Sequence, residues 1–207
     1  MDYGKCPLCS EFGQTNYSDN ATILSMLFFL RHGESVANVN GLFAGQRDDA
    51  PLSKLGAEQA RSAAAELVGL GIERIISSRL IRTQQTANEV AKVIGFDLER
   101  IENDDRIIEY DMGALTSTPI RKVTSQELVS VDGAEDPVEF KNRILDFLLE
   151  HKNSTETILV VSHAGVGRAI EAARQHLNPT EFYNIPAYPN AHAFELKLDW
   201  LEAQLLI

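Results

Sequence analysis

The chain has 207 residues, 44% of them hydrophobic and 24% charged, a length and composition that suit one globular domain and exclude a wholly disordered or fibrous chain. Its 19 basic and 30 acidic residues give a net charge of −11, which repels a nucleic-acid backbone or an anionic membrane at long range but allows a local basic pocket for a small anion. Cys6 and Cys9 are the only cysteines, so there is no disulfide framework, and a cytoplasmic protein with neither nucleic acid nor membrane as partner is the expectation.

In chain order, residues 1–25 mix Gly, Asn, Ser, Asp and Thr without period and are expected to form a loose N-terminal extension before a domain over 26–207. Within the extension Cys6-Pro7-Leu8-Cys9 has the look of half a zinc knuckle, but a structural zinc wants four ligands, so no metal is expected within a monomer. Residues 26–30 read as a buried strand, far short of the ~20 apolar residues that span a bilayer. Ser53 caps a helix that aligns Gly56, Ala60, Ala63, Leu67 and Leu70 and stops at Gly69 and Gly71. Ile72, Ile75 and Ile76 form a second strand, followed by a helix with Leu80, Thr83, Ala87, Val90 and Ile94 on one side and Gly95 as its stop. Residues 96–101 and 106–108 are short apolar patches in an acidic stretch, and 137–150 is an amphipathic helix. The β-branched run 157–161 is a buried strand; its successor helix carries Val166, Ile170, Ala173 and Leu177. An alternating segment, 193–198, closes the chain as an edge strand. This alternation predicts a three-layer α/β sandwich: a mixed, mainly parallel sheet with helices on both faces.

In such a sheet, ligands collect beyond the carboxyl ends of the strands. There the sequence places Arg31-His32-Gly33-Glu34-Ser35, then Ser77-Ser78-Arg79-Leu80-Ile81-Arg82-Thr83, then Glu109 and Asp111, then Ser162-His163-Ala164-Gly165. Cations converging without matching acids are costly to bury unless an anion fills the space. A phosphoryl group fits, since arginine donates bidentately and helix N-termini add free N–H groups. A neutral imidazole can accept the phosphoryl group and pass it to water. A carboxylic acid such as Glu109 can protonate the departing alkoxide. Competing phosphatase chemistries lack their residues: there is no Gly-x-x-x-x-Gly-Lys loop, no arginine six positions after either cysteine and no Asp-x-Asp pair, and Ser162 lacks the glycines of a nucleophile elbow. The remaining histidines read as structural: His151 and His176 as solvated helix ends, His192 as an edge-strand residue.

From Met26 to about Leu198 the chain resembles the histidine phosphatase superfamily, the phosphoglycerate mutase-like family. The resemblance rests on Leu30-Arg31-His32-Gly33-Glu34-Ser35 with Asn38, on Ala44-Gly45-Gln46-Arg47-Asp48 to Pro51-Leu52-Ser53, on Ser77-Ser78 through Leu80, Arg82-Thr83 and Gln85-Thr86-Ala87, on Ser162-His163-Ala164-Gly165, and on Asn190-Ala191. It implies that His32 is the phosphorylated nucleophile, that Arg31, Arg82 and His163 hold the phosphoryl oxygens with Asn38 as a further contact, and that Glu109 is the proton donor, with Asp111 as its competitor. It implies no cofactor, a small phosphorylated metabolite as substrate, and metal-independent phosphomonoester hydrolysis; a mutase-like isomerase and a phosphate-binding pseudoenzyme are the alternatives. Residues 115–136 are the expected lid.

Overall fold

The computed structural model describes residues 26–121 and 123–202; the expected extension and the Cys6-Cys9 pair lie outside these. β1 (Leu27–Arg31) leads into a one-turn helix, α1 (Val36–Val39), and then into α2 (Lys54–Leu67). β2 (Arg74–Ser77) and α3 (Ile81–Ile94) follow, then the two-residue β3 (Glu102–Asn103), the short α4 (Ser125–Val129) and α5 (Pro137–His151). β4 (Ile158–Ser162), α6 (Ala164–Arg174) and β5 (Ala193–Glu195) complete the order. The sheet runs β3-β2-β4-β1-β5, with all pairs parallel except β1 with β5. This is the mixed, mainly parallel sheet that the alternating pattern predicts.

The two faces of β1 and β4 explain the layers. Side chains alternate along a strand, so Phe28, Leu30, Leu159 and Val161 pack with α2 and α3, while Leu27, Phe29, Ile158 and Val160 pack with α5 and α6. Both strands are therefore apolar on both faces up to their last residues, Arg31 and Ser162, as central parallel strands are. The α2 and α3 faces meet through Ala63, Ala64, Ala87 and Ala91, residues small enough to bring two helices close. Ser53 caps α2 by accepting from the Gly56 amide at 3.0 Å, and Gly95 ends α3 at φ +75°. Among the described residues no helix is long and apolar enough to cross a membrane.

Several boundaries differ from expectation. α2 ends at Leu67, β2 begins at Arg74, α6 ends at Arg174 and β5 stops at Glu195, so Leu70, Ile72, Leu177, Leu196 and Leu198 pack from loops. Leu80 is the N-cap of α3 and lies outside its first turn. His151 is not a solvated end: it is 7% exposed, with its ring 4.7 Å from Phe147, four residues earlier on the same buried face of α5. The acidic stretch is largely paired: Glu102 with Arg74, Asp104 with Arg106 and Asp105 with Arg79.

Candidate active site

The sheet register brings three motifs level. Arg31 pairs with Ser162 and Ser77 with Val161, the His32 amide donates to the Ser162 carbonyl at 2.9 Å, and the Ser78 amide donates to Val161 at 3.1 Å. The ends of β1, β2 and β4 thus stand side by side, and the first turns of α3 and α6 rise from the same edge. A cavity of about 250 Å³ opens there, with Arg31, His32, Asn38, Arg82 and Glu109 among its lining residues.

The loop after β1 is packed backbone to backbone on α2. A Cβ on Gly33 would run into the Gly56 carbonyl, and one on Gly56 into the Glu34 carbonyl, so only glycine permits the approach at either position. The Gly33 amide donates to Thr86 Oγ1 on α3 at 3.1 Å and the Glu34 amide to Gln59 on α2 at 2.9 Å. His32 is consequently held by both helices of one layer.

His32 Nδ1 lies 2.6 Å from the Gly33 carbonyl. A carbonyl only accepts, so Nδ1 carries the proton and Nε2 keeps its lone pair. Burial, reinforced by the charges of Arg82 and Arg31, holds the His32 pKa well below the ordinary histidine value, so the ring is neutral at pH 7. Arg82, 1% exposed, donates to the carbonyls of Asp48 and Gly45. Arg31 donates to the Tyr188 carbonyl; burial lowers its pKa to about 10, which leaves it cationic at neutral pH.

His163, 0% exposed, caps α6 with its ring centroid 5.3 Å from that of His32, edge to face. Its Nε2 lies 2.8 Å from Ser78 Oγ, and it does not itself line the cavity. Burial, with Arg82 next, holds its pKa well below the ordinary value too. Among the described residues the buried side-chain nitrogens without a hydrogen-bond partner are Arg31 Nε, His163 Nδ1 and Arg168 Nε. Such orphans cost roughly 1–3 kcal/mol each unless a ligand satisfies them. All three belong to residues in or against this cavity.

Glu109, 6% exposed, lines the cavity and is held by main-chain donors: the Tyr110 amide at 2.8 Å and the Gly165 amide, in the first turn of α6, at 3.2 Å. Asp111 does not line the cavity; it pairs with Arg47 and accepts from the Gly113 amide. Of the two carboxylates expected near the site, Glu109 lines the cavity and Asp111 does not. A Cβ on Gly165 would occupy the position of the Glu109 carboxylate. Gly165→Ala should thus lower turnover by about 10²-fold through displacement of the acid, with melting temperature changed far less; a variant of near-normal kcat would contradict this packing argument.

Asn38 lines the cavity from α1, its side-chain oxygen accepting from the Ser35 amide in a capping box. Asn190 donates to the His32 carbonyl at 3.0 Å. The expected lid residues 115–136 are tied to the loop after α1: the Ser117 amide donates to Phe43, the Phe43 amide to Thr118 and the Ile120 amide to Gly41, and Ile120 reaches the cavity wall. One residue of the site escaped sequence reasoning. Arg168 lines the cavity from α6 with its guanidinium 4.2 Å over the Tyr183 ring. Its position five residues after His163 and the apolar face of α6 around it were the available signals.

Three buried histidines, His32, His163 and His151, set a pH dependence of stability. Their folded pKa values are depressed, so above pH ~6.5 neither state binds the protons, whereas below it the unfolded state gains them first. Stability should fall as pH drops from 6.5, by up to about 1.4 kcal/mol per histidine and pH unit. Thermal melts between pH 7.5 and 5.5 check this; a flat profile would contradict the buried neutral rings.

Residues 27–205 match the family described as the histidine phosphatase superfamily (branch 1). The "Probable phosphoglycerate mutase GpmB" of Yersinia enterocolitica is 40% identical over 101 residues, which is 49% of this chain and 45% of that protein. The protein of the same name from an Enterobacter species is 40% identical over 114 residues, 53% of this chain and 51% of that one. The chain thus aligns with about half the length of these curated relatives. Among solved structures, a mycobacterial glucosyl-3-phosphoglycerate phosphatase in complex with inorganic phosphate superposes with a TM-score of 0.68 at 24% identity, covering 86% of this chain and 92% of that one. Bacillus stearothermophilus YhfR gives 0.71 at 20% identity, covering 84% and 92%. At these identities the structural likeness speaks to the fold.

Proposed function

Because the chain belongs to the histidine phosphatase superfamily (branch 1), we propose that it hydrolyses phosphomonoesters through a phosphohistidine on His32. The observation that carries this reading is the Nδ1–H bond of His32 to Gly33, which leaves Nε2 unprotonated in a cavity lined by Arg31, Arg82 and Glu109. In the first step Nε2 attacks phosphorus, the P–O ester bond breaks, and the departing alkoxide takes a proton from Glu109. The imidazolium that forms keeps its Nδ1–H on the Gly33 carbonyl. In the second step the Glu109 carboxylate takes a proton from water, the water oxygen attacks phosphorus, and Nε2 leaves with its lone pair restored. Arg31, Arg82 and the free His163 Nδ1 supply fixed donors for the equatorial oxygens, a charge stabilisation that other phosphatases take from a metal ion.

The substrate is a small phosphorylated metabolite, in keeping with the cavity volume. Arg168 gives the cavity a third arginine against the single carboxylate of Glu109, which favours a substrate with a second anionic group beside the phosphate. The names of the curated relatives and of the solved phosphatase both contain a phosphoglycerate. The relatives' name also favours a second reading, in which phospho-His32 returns its phosphoryl group to another hydroxyl of the substrate; residues 115–136 would then have to exclude water between the two transfers.

A panel of phosphorylated metabolites that includes phosphoglycerates, assayed for released phosphate with and without EDTA, tests the proposal. Phosphate release unaffected by chelation is the expected result. An isomerised ester without phosphate release would establish the second reading, and chelator-sensitive activity would overturn metal-free hydrolysis.

A further inference from the structure

Glu109 sits on a segment without strand or α-helix, and its carboxylate is held only by two main-chain amides. What fixes that segment lies outside the cavity. Arg143, on the second turn of α5, donates from Nε to Glu135 Oε1 at 2.7 Å and from Nη2 to Glu135 Oε2 at 3.1 Å. The same guanidinium donates from Nη1 to the Arg106 carbonyl and from Nη2 to the Glu109 carbonyl at 3.2 Å, and it stacks 4.7 Å over the Phe140 ring. Glu135 takes up the other side. Its carboxylate accepts from the Asp111 amide at 3.2 Å and from Gln46 Nε2 at 3.3 Å, its amide donates to the Asp111 carbonyl at 2.9 Å, and its carbonyl accepts from the Tyr110 hydroxyl.

The pair therefore grips the chain on both sides of Glu109, at Arg106 and Glu109 itself and at Tyr110 and Asp111. Through Gln46 it also reaches the loop whose Gly45 carbonyl orients Arg82. We propose that Arg143 and Glu135 are positioning residues that set the carboxylate of Glu109 over the phosphoryl site, an inference that rests on the hydrolase reading above. Neither side chain lines the cavity, and the polar atoms of both are taken up by each other and by main-chain groups, so neither touches substrate. The chemistry explains why an arginine stands at 143. Its planar fork serves a carboxylate and two carbonyls at once, which a lysine ammonium cannot do in the same plane. A misplacement of the acid by about 1 Å costs on the order of 10²-fold.

The discriminating experiment compares kcat/KM, which reports phosphoryl transfer to His32 and not the later attack of water, on an alkyl phosphate, whose leaving group needs a proton, and on p-nitrophenyl phosphate, whose leaving group does not. Arg143→Lys should lower the first by about 30-fold and the second by less than about 3-fold, with circular dichroism unchanged. In a Glu109→Gln background the same substitution should add less than about twofold on either substrate, because the residue it acts through is already disabled. Glu135→Gln, which keeps the shape and removes the charge, should show the same selectivity and carries the test if the lysine variant does not fold. Equal losses on both substrates, or effects that multiply with Glu109→Gln, would mark the pair as merely structural and overturn the inference alone. A Glu109→Gln protein without leaving-group selectivity would instead remove the acid role of Glu109, and the inference with it.

Discussion

On the proposed mechanism His32→Ala should lower turnover of any phosphomonoester by about four orders of magnitude, the scale expected when a covalent nucleophile is removed from an otherwise intact site. The loss should fall on kcat. Arg31 and Arg82 are anchored by the carbonyls of Tyr188, Gly45 and Asp48, and none of these bonds involves the His32 ring. Inorganic phosphate should therefore still bind, within about tenfold of wild type, since the charge-assisted donors remain. The ring is buried in the wild type, so its removal also relieves a group that resists protonation, and the variant should lose less stability than wild type on acidification. Steady-state kinetics and phosphate titration of the purified variant measure both parts. Near-normal turnover would refute covalent catalysis at this residue.

Glu109→Gln should lower kcat/KM for alkyl phosphates by roughly 10²- to 10³-fold while leaving that for p-nitrophenyl phosphate within a few-fold, because in the first step general acid catalysis matters only where the leaving group is basic. Glutamine keeps one of the two oxygens that accept from the Tyr110 and Gly165 amides, and the p-nitrophenyl phosphate value separates loss of the proton from any shift in geometry. Asp111→Asn should show no such split. Its carboxylate is engaged by Arg47 and the Gly113 amide, and it is absent from the cavity lining. The opposite pattern would move the acid role to Asp111.

What the sequence made legible follows from burial. β1 and β4 are apolar on both faces because layers cover both, and α2 and α3 show a clean 3.6 period because only one side of each is covered. β3 could not be seen: its two residues, Glu102 and Asn103, are exposed and polar, and they join the sheet only through pairing with Ile76 and Ser77. α1 and α4 are four and five residues long, too short to display a period. The edge strand ends at Glu195 although the apolar alternation runs on, since Leu196 continues against Leu27 by a single main-chain bond. His151 was misread for a definite reason: a histidine in a last helical turn suggests a solvated dipole partner, and nothing local signals the Phe147 ring beside it.

The site divides the same way. His32, Arg82 and His163 were legible because each follows a strand end within a few residues, where the topology concentrates ligands. Arg168 was not, because an arginine on an amphipathic helix ordinarily reads as its wet face, and only the Tyr183 ring and the cavity wall give it another meaning. Glu135 and Arg143 were hidden for a further reason. They stand on either side of the α5 N-cap, Asp136, and the segment they hold is 24 to 37 residues away in the chain.

The central claim is that the phosphoryl group passes through His32. Wild-type protein mixed with a labelled phosphodonor and quenched in alkali within the first turnover should carry label on the peptide containing His32, stable in base and lost in acid as a phosphoramidate is. His163→Ala should acquire the same label more slowly, since it loses a donor and keeps the nucleophile. Turnover in the wild type with no base-stable label on His32 at any quench time would contradict the account.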